Sequence, residues 1–185
     1  MLFIANYWND GQQKMVKIFS NCDQVELFLN GKSLDIQKPD NDVYSKNLNH
    51  PPFTFNPTTY QPGTLTAVGY IQGKKVITQS QSTHGDAYKI ILKADLSGKE
   101  LMAGKNDVIF VYAYITDKNG TIVPNAANLL KFSVEGAGSI IGATEINAEA
   151  GIAPILIKAG EMQGKIKITA SSAGLIRNEF LLLSK

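Results

Sequence analysis

The chain has 185 residues, of which 44% are hydrophobic and 18% are charged. This length suits one large domain or two domains of about 90 residues each, and the composition excludes intrinsic disorder. A net charge of +2, from 18 basic and 16 acidic residues spread along the sequence, leaves no basic stripe, so we expect no nucleic-acid partner.

The single cysteine, Cys22, cannot form an internal disulfide and fits the cytoplasm and the periplasm equally. No apolar run approaches the ~20 residues that cross a bilayer, so we expect no membrane partner. The segment Met1 to Ala5 is too short for the apolar core of a signal peptide. The sequence therefore fits a cytosolic protein, a mature chain or a fragment of a longer one.

The first predicted strands lie around the stretch SNCDQVELFLNGKSL, Ser20 to Leu34. Apolar and polar residues alternate from Val25 to Leu29, which is the period of a half-buried strand. Asn30 and Gly31 follow directly and favour a two-residue hairpin turn, after which the strand pattern resumes. Lys14 to Ser20 is a second strand candidate, and the polar SNCD between the two strands suits a turn.

Later segments repeat this pattern of short strands separated by turn residues. Two more hairpins are predicted, each a pair of strands around a turn that ends in glycine: Gly63 to Ile77 around Gln72-Gly73, and Asp107 to Val123 around Asn119-Gly120. Five further segments are predicted as strands: Tyr88 to Ala94, Leu130 to Glu135, Ala153 to Lys158, Gly164 to Ser171 and Asn178 to Leu183. Asp40 to Gly63 carries four prolines and is predicted to be a long connection or an edge.

The fold class follows from these elements, because no window of a dozen residues has a convincing helical stripe. We expect an all-β protein. The polar stretch Ser80 to Asp86 indicates a domain break, and turn signals every 8 to 12 residues are typical of an immunoglobulin-like sandwich. We therefore predict two tandem immunoglobulin-like β-sandwich domains, residues 1–84 and 85–185.

Two features raise the question of catalysis. Cys22 would need a neighbouring base to act as a nucleophile, and neither His50 nor His84 lies in a recognisable Cys-His motif. Asn178 and Glu179 form the Asn-Glu dipeptide that carries the acid/base in many sugar hydrolases, but Arg177 beside them gives a plain surface interpretation. We expect no catalytic residue in this chain.

Metal and cofactor sites are also not expected. DKNG, Asp117 to Gly120, resembles part of a calcium loop but lacks the spaced acids and the final glutamate, so a hairpin turn is favoured. DND, Asp40 to Asp42, offers ligands for a surface ion but is favoured as a solvated acidic loop. No phosphate loop, zinc spacing or serine-triad motif is present.

Aromatic residues of the first half are the candidates for carbohydrate binding. Trp8, Tyr7 and Tyr44 lie in or near connecting segments, where exposed rings can stack on sugars. Packing into the core of a sandwich is the competing role for the same residues.

The stretch SNCDQVELFLNGKSL resembles a segment of the C-terminal, non-catalytic modules of glycoside hydrolase family 2 enzymes of the β-galactosidase type, especially those of gut Bacteroidetes. In that family the segment follows a Trp-Asn segment, which YWNDG (Tyr7 to Gly11) matches here. It precedes a Tyr-x-Pro-Gly-x-Leu-x-Ala strand, which YQPGTLTAVGY (Tyr60 to Tyr70) matches, and a Gly-Lys pair follows in YIQGKKV. The second half resembles the next module of those enzymes in three stretches: Lys93 to Ala126, Phe132 to Gly142 and Ile168 to Leu175. GATEINAEAGIAP (Gly142 to Pro154) departs from the Gly-Asn-Gly-Asp type segment that the family often has there.

The resemblance implies that a catalytic barrel with two glutamates lies upstream in a parent polypeptide and is the partner of this chain. No catalytic residue of the family falls on any position here. If the parent is exported, the resemblance favours the periplasm or the extracellular space. Three interpretations stay open: a structural accessory pair, a carbohydrate-binding module centred on the first half, and an adhesin-like spacer suggested by DKNGTIVPNA followed by FSVEG.

Overall fold

The computed structural model describes residues 1–9, 15–57 and 59–185. Within these residues the chain is all-β, with one three-residue 3-10 helix, Ser45–Asn47, as its single helical element. This confirms the predicted fold class. The chain divides into two compact units, Met1–Thr83 and His84–Lys185.

The first unit contains seven strands among the described residues. They are β1 (Leu2–Ile4), β2 (Val16–Ser20), β3 (Gln24–Leu29), β4 (Lys32–Gln37), β5 (Phe53–Phe55), β6 (Thr64–Ile71) and β7 (Lys74–Ser82). Three form a small sheet in the order β1-β2-β5, and four form a larger sheet in the order β4-β3-β6-β7. All the pairs within these sheets are antiparallel.

The first core lies between the inward faces of these two sheets. In β3, Val25, Leu27 and Leu29 are buried, as the alternation predicts. They belong to one apolar cluster with Ile18 of β2 and Phe53 of β5, which come from the opposite sheet. Burial of side chains from both sheets in one cluster is the defining feature of a sandwich.

The second unit contains eight strands. They are β8 (Lys89–Asp95), β9 (Val108–Thr116), β10 (Leu129–Gly136), β11 (Gly138–Ile141), β12 (Glu145–Asn147), β13 (Ile152–Ala159), β14 (Gly164–Ser171) and β15 (Asn178–Ser184). They form two antiparallel four-stranded sheets, β11-β13-β9-β8 and β12-β10-β14-β15. Val111 and Ile157 of one sheet share an apolar core with Leu130 and Ile166 of the other.

Two of the three predicted hairpins form as expected. Asn30 and Gly31 both have positive φ, 52° and 80°, and so do Gln72 and Gly73, 51° and 73°. Positive φ at both central residues gives a turn whose twist matches that of the flanking strands. The turn chemistry therefore sets the pairing of β3 with β4 and of β6 with β7.

The prediction of the third hairpin is wrong for its second strand. β9 ends at Thr116, and beyond the turn only an isolated bridge joins Thr116 to Ile122. Val123 donates one more backbone hydrogen bond to Ile115, and the chain then reaches Pro124, which has no N–H to extend the pairing. The strand prediction for Lys14 to Ser20 is observed as β2, with Lys14 outside the described residues.

The proline-rich segment Asp40 to Gly63 contains β5, which lies at an edge of its sheet. Phe53 and Phe55 are nevertheless buried, so this edge contributes to the core. Three strands were missed: β1, β11 and β12, each of only three or four residues. The described residues form no helix that is long and apolar enough to span a bilayer.

Candidate contact surface

Trp8 is a core residue in the structure. Its side chain is 4% exposed, its indole Nε1 donates to the carbonyl oxygen of Gln61 at 2.8 Å, and its ring centroid lies 5.2 Å from that of Tyr60. A ring enclosed in this way has no free face on which a sugar could stack. The expectation that Trp8 forms an exposed platform therefore needs correction, because core packing takes the ring.

Tyr7 and Tyr44 differ from Trp8 in exposure. Tyr7 is half-buried, whereas Tyr44 is 87% exposed just before the 3-10 helix. The ring that contacts Trp8 in the described part of the chain belongs to Tyr60. Of the three candidates, Tyr44 is the one that presents its ring to solvent.

Three of the family-like motifs meet at one corner of the first unit. Asn30 of the LFLNG motif accepts a hydrogen bond from Thr64 N at 2.9 Å and donates to Pro62 O at 3.2 Å. Gly63 of the YQPG motif has a φ of 144°, and a β-carbon there would collide with the Asn30 side chain. With the bond from Trp8 to the neighbouring Gln61, these contacts give the motifs a structural explanation.

Cys22 is buried in the first core. Its Sγ would lie 2.6 Å from a β-carbon placed on Gly69, so the thiol occupies the space that the glycine leaves in β6. Its backbone N–H bonds to Ser20 Oγ at 3.2 Å. A buried thiol in an apolar cluster acts as a small apolar side chain.

Asn178 and Glu179 have separate structural roles. Asn178 Oδ1 accepts a hydrogen bond from the backbone N–H of Leu92 at 3.0 Å, joining β15 to β8. Glu179 points outward and forms ion pairs with Lys167 at 3.3 Å and Arg177 at 3.6 Å, all with substantially exposed side chains. This arrangement matches the plain surface interpretation of the dipeptide.

The DKNG turn contains a buried carboxylate, Asp117. Burial acts to raise the pKa of this group, but hydrogen bonds from backbone N–H groups outweigh it and hold the pKa below its ordinary value. The donors are the N–H groups of Gly85, Thr121, Asn119 and Gly120. Asp117 therefore organises its own turn and fixes the segment that leads into β8.

The DND loop is organised in the same way. Asp40 accepts hydrogen bonds from the backbone N–H and the hydroxyl of Thr54 at 3.2 and 2.6 Å. Asp42 bonds to Ser45 and Tyr44, and these backbone donors lower the pKa of its carboxyl. In the described ranges, no group of three His, Cys, Asp or Glu side chains is placed to hold a metal ion.

A surface that the sequence interpretation missed lies on β9. Val111, Ala113 and Ile115 point into the core, so Phe110, Tyr112 and Tyr114 point outward from a central strand. Six of the apolar side chains that point outward from this sheet form what we call the aromatic face: Phe110, Tyr112, Tyr114, Ile141, Ile152 and Leu156. Ile152 lies opposite Tyr114, and both Leu156 and Ile141 lie in the row of Phe110.

The rings of the aromatic face are packed against one another. Phe110 and Tyr112 have centroids 5.7 Å apart and an interplanar angle of 20°, and Tyr112 and Tyr114 follow at 6.3 Å. The ammonium of Lys93 lies 5.6 Å from the centroid of Tyr114. The sequence signal was the run FVYAY, in which aromatics occupy the alternate positions that a solvated strand gives to polar residues.

The fold places the chain among tandem β-sandwich proteins of the immunoglobulin-like class. Comparison with known families then gives a match in each unit. Residues 11–77 match a Domain of unknown function (DUF4982), and residues 92–180 match the Glycoside hydrolase family 2 C-terminal domain 5. The chain belongs to the C-terminal modules of glycoside hydrolase family 2, which confirms the resemblance.

Three similar proteins illustrate this membership. A β-galactosidase of Thermoanaerobacter pseudethanolicus is 33% identical across 92% of the chain, and β-galactosidase BoGH2A of Bacteroides ovatus is 32% identical across 91%. The crystal structure of a β-glycosidase from Bacteroides vulgatus superposes over 98% of the chain with a TM-score of 0.81 and 25% identity. The chain spans 24%, 20% and 24% of their respective lengths.

Proposed function

We propose that the chain is a non-catalytic accessory region of a family 2 glycoside hydrolase of the β-galactosidase type, acting in carbohydrate metabolism. Its role is structural, and its partner is the catalytic domain of the same parent polypeptide. The observation that carries this proposal is the match to a family 2 C-terminal domain in a chain that spans 24% and 20% of the β-galactosidases of Thermoanaerobacter pseudethanolicus and Bacteroides ovatus.

The positions of the acidic residues support this proposal. Glycoside hydrolysis normally uses two carboxyl groups about 5 to 10 Å apart across the scissile bond. Asp117 is buried among backbone donors, and Glu179 faces solvent in ion pairs. These two acids, like Asp40 and Asp42 of the DND loop, therefore have structural partners.

The decisive experiment compares the 185-residue chain with its full-length parent on chromogenic β-galactosides. We expect turnover by the parent and none by the chain, at any pH between 4 and 9. Turnover by the chain that disappears in Glu179→Gln would overturn the proposal. Lys131→Gln, which removes the exposed ion pair of Lys131 with Glu145, serves as the control for the loss of a surface charge.

The structural role has its own test, which uses the parent enzyme with and without residues 1–185 of this chain. We expect the shortened enzyme to lose activity at a lower temperature than the complete one. Added 185-residue chain should restore part of the loss if the two parts associate. Identical thermal inactivation of the two enzymes would show that the region gives no structural support.

Carbohydrate binding is the second candidate, favoured by the exposed ring of Tyr44. Calorimetric titration with galactosides and with plant or host glycans tests this candidate. Tyr44→Ala is the variant that should lose binding. Because Trp8 is buried in the first core, its fluorescence should stay constant even when a glycan binds at Tyr44 and the titration releases heat. No heat with any glycan, or equal heat from Tyr44→Ala, would exclude this site.

A further inference from the structure

We infer that the aromatic face is a docking surface, covered in the intact enzyme by another domain of the same polypeptide that lies outside these 185 residues. This inference rests on the proposed function and adds to it the surface through which the region acts. Phe110, at 46% exposed, is the most accessible aromatic ring of the face and is the residue that we expect to be buried by docking.

The geometry of the rings favours a protein partner over a sugar. A pyranose stacks on a free ring face, but Phe110 and Tyr112 turn a face toward each other at 5.7 Å. Lys93 lies over the ring of Tyr114. What the surface offers is therefore a continuous apolar area extended by aliphatic side chains, and this matches the apolar, aromatic-rich centre of a protein interface.

The border of the face is polar, as at other protein interfaces. Lys93 lies opposite Tyr112 on the neighbouring strand, and Asp95 lies opposite Phe110. Lys158 continues the outward row of β13 beyond Leu156. Both charge signs occur at this rim, where they can set the orientation of a partner while remaining close to water.

The opposite sheet of the same sandwich shows what a solvated face looks like here. Its outward residues form the ion pairs Lys131–Glu145 at 2.9 Å and Lys167–Glu179 at 3.3 Å, and the exposed Leu181 and Leu183 lie on the same face without an aromatic neighbour there among the described residues. One sandwich therefore carries one outer face that mixes ion pairs with separate leucines and one outer face with a row of packed aromatic rings. The fold does not demand the aromatic face, and contiguous exposed apolar patches mark interaction sites.

The length of the relatives identifies the occupant. In the β-galactosidases of Thermoanaerobacter pseudethanolicus and Bacteroides ovatus, the aligned region is 24% and 20% of the polypeptide, so most of each of these two proteins lies outside it. A domain on the same chain is present at an effective concentration in the millimolar range, and an interface of about 600–1,500 Å² between domains is sufficient. A separate partner would need a standard interface of about 1,200–2,000 Å².

Hydroxyl-radical footprinting of the 185-residue chain and of the full-length parent tests this surface. We expect Phe110 and Tyr112 to be oxidised in the chain and, in the parent, to react as slowly as the buried Phe53. Leu181, on the opposite outer face of the same sandwich, should react equally in both. Equal oxidation of Phe110 in the two proteins would overturn the inference.

A matched pair of variants supplies a second measurement. Phe110→Lys should leave the unfolding midpoint of the 185-residue chain unchanged because the position is outward, but it should lower the midpoint of the parent and expose Tyr112 to oxidation there. Leu181→Lys should change neither protein. A parent that tolerates Phe110→Lys as well as Leu181→Lys would contradict docking at this face.

Other occupants give distinct results, each of which would replace the inference. Protection of Phe110 in the isolated chain that grows with protein concentration would indicate a second copy. Protection by added galacto-oligosaccharide would indicate a sugar. If removal of the region destabilises the parent while Phe110 is oxidised equally in both proteins, the proposed function stands and only the docking face is wrong.

Discussion

Trp8 and Gln61 lie 53 residues apart in the sequence, yet the indole Nε1 of Trp8 donates to the carbonyl oxygen of Gln61 at 2.8 Å. The indole is buried beside Tyr60, whose hydroxyl lies 3.3 Å from the hydroxyl of Thr83. This chain of contacts joins the segment after β1, the segment before β6 and the segment after β7. The corner is therefore a structural element of the first unit.

Truncation of Trp8 should destabilise the first unit. We expect Trp8→Phe to lower the free energy of unfolding by about 1–3 kcal/mol, because Gln61 loses its donor, and Trp8→Ala to lower it by about 3–5 kcal/mol, because a large buried side chain is removed. Urea unfolding followed by circular dichroism measures both. Tyr44→Ala is the control, and its free energy of unfolding should stay within about 0.5 kcal/mol of the wild type. If Trp8→Ala and Tyr44→Ala lowered the free energy of unfolding equally, the burial of Trp8 would be contradicted.

Gly63 should not tolerate a side chain. Its φ of 144° is accessible essentially to glycine alone, and a β-carbon there would meet the side chain of Asn30. We expect Gly63→Ala to cost about 2–6 kcal/mol, since the backbone strain and the overpacking each cost about 1–3 kcal/mol. Gly73→Ala, with a φ of 73° and open space around it, should cost only about 1–2 kcal/mol.

A double variant separates the two causes. Asn30→Gly removes the obstructing side chain and suits the positive φ of 52° at that position. The combined Asn30→Gly, Gly63→Ala variant should therefore cost less than the sum of the single variants, with the difference measured as a coupling free energy. Strictly additive costs would show that the side chain of Asn30 does not limit the space at Gly63.

The sequence predicted most of the strands because their signals are local. Asn30-Gly31 and Gln72-Gly73 formed the expected turns, since asparagine and glycine adopt positive φ readily and each turn contains a glycine. Ile122 was assigned to a strand wrongly, because the pattern could not show that Asp117 would bind the backbone around its own turn. The short β1 was missed because three residues are too few to show a period.

The candidate site was harder to predict than the fold. Composition alone cannot distinguish a stacking Trp8 from a buried one, because the partner of its Nε1 lies far away in the sequence. The outward direction of Phe110 and Tyr112 was available from the alternation of β9. Recognising these residues as part of a surface required the sheet order. β9 lies between β8 and β13, and the outer face of this sheet is the one that does not pack against the other sheet.

Asn178 should matter for stability, while Glu179 should not. Asn178 Oδ1 is the acceptor for the backbone N–H of Leu92, so Asn178→Ala leaves a part-buried donor without its partner. We expect a loss of about 1–3 kcal/mol in the free energy of unfolding. Glu179→Gln removes only exposed ion pairs and should stay within about 1 kcal/mol. The opposite ranking in urea unfolding would contradict the structural roles of this dipeptide.

Asp117 should make the stability of the second unit depend on pH. Its folded pKa lies below the ordinary value of 3.8, so its ionised form stabilises the fold above about pH 4, and this contribution is lost as the pH falls through the folded pKa. We expect Asp117→Asn to be less stable than the wild type by about 1–3 kcal/mol at pH 7, because an amide nitrogen would face backbone N–H donors.

The dependence on pH is the diagnostic part of this prediction. The gap in stability between wild type and Asp117→Asn should narrow as the pH is lowered below about 4, because protonation removes in the wild type the charge that the variant already lacks. Asp86→Asn, at an exposed carboxylate in the same segment, controls for the loss of a charge and should show a small gap at every pH. A constant gap for Asp117→Asn from pH 7 to pH 3 would mean that the variant acts through packing, and that the backbone hydrogen bonds to Asp117 do not depend on its charge.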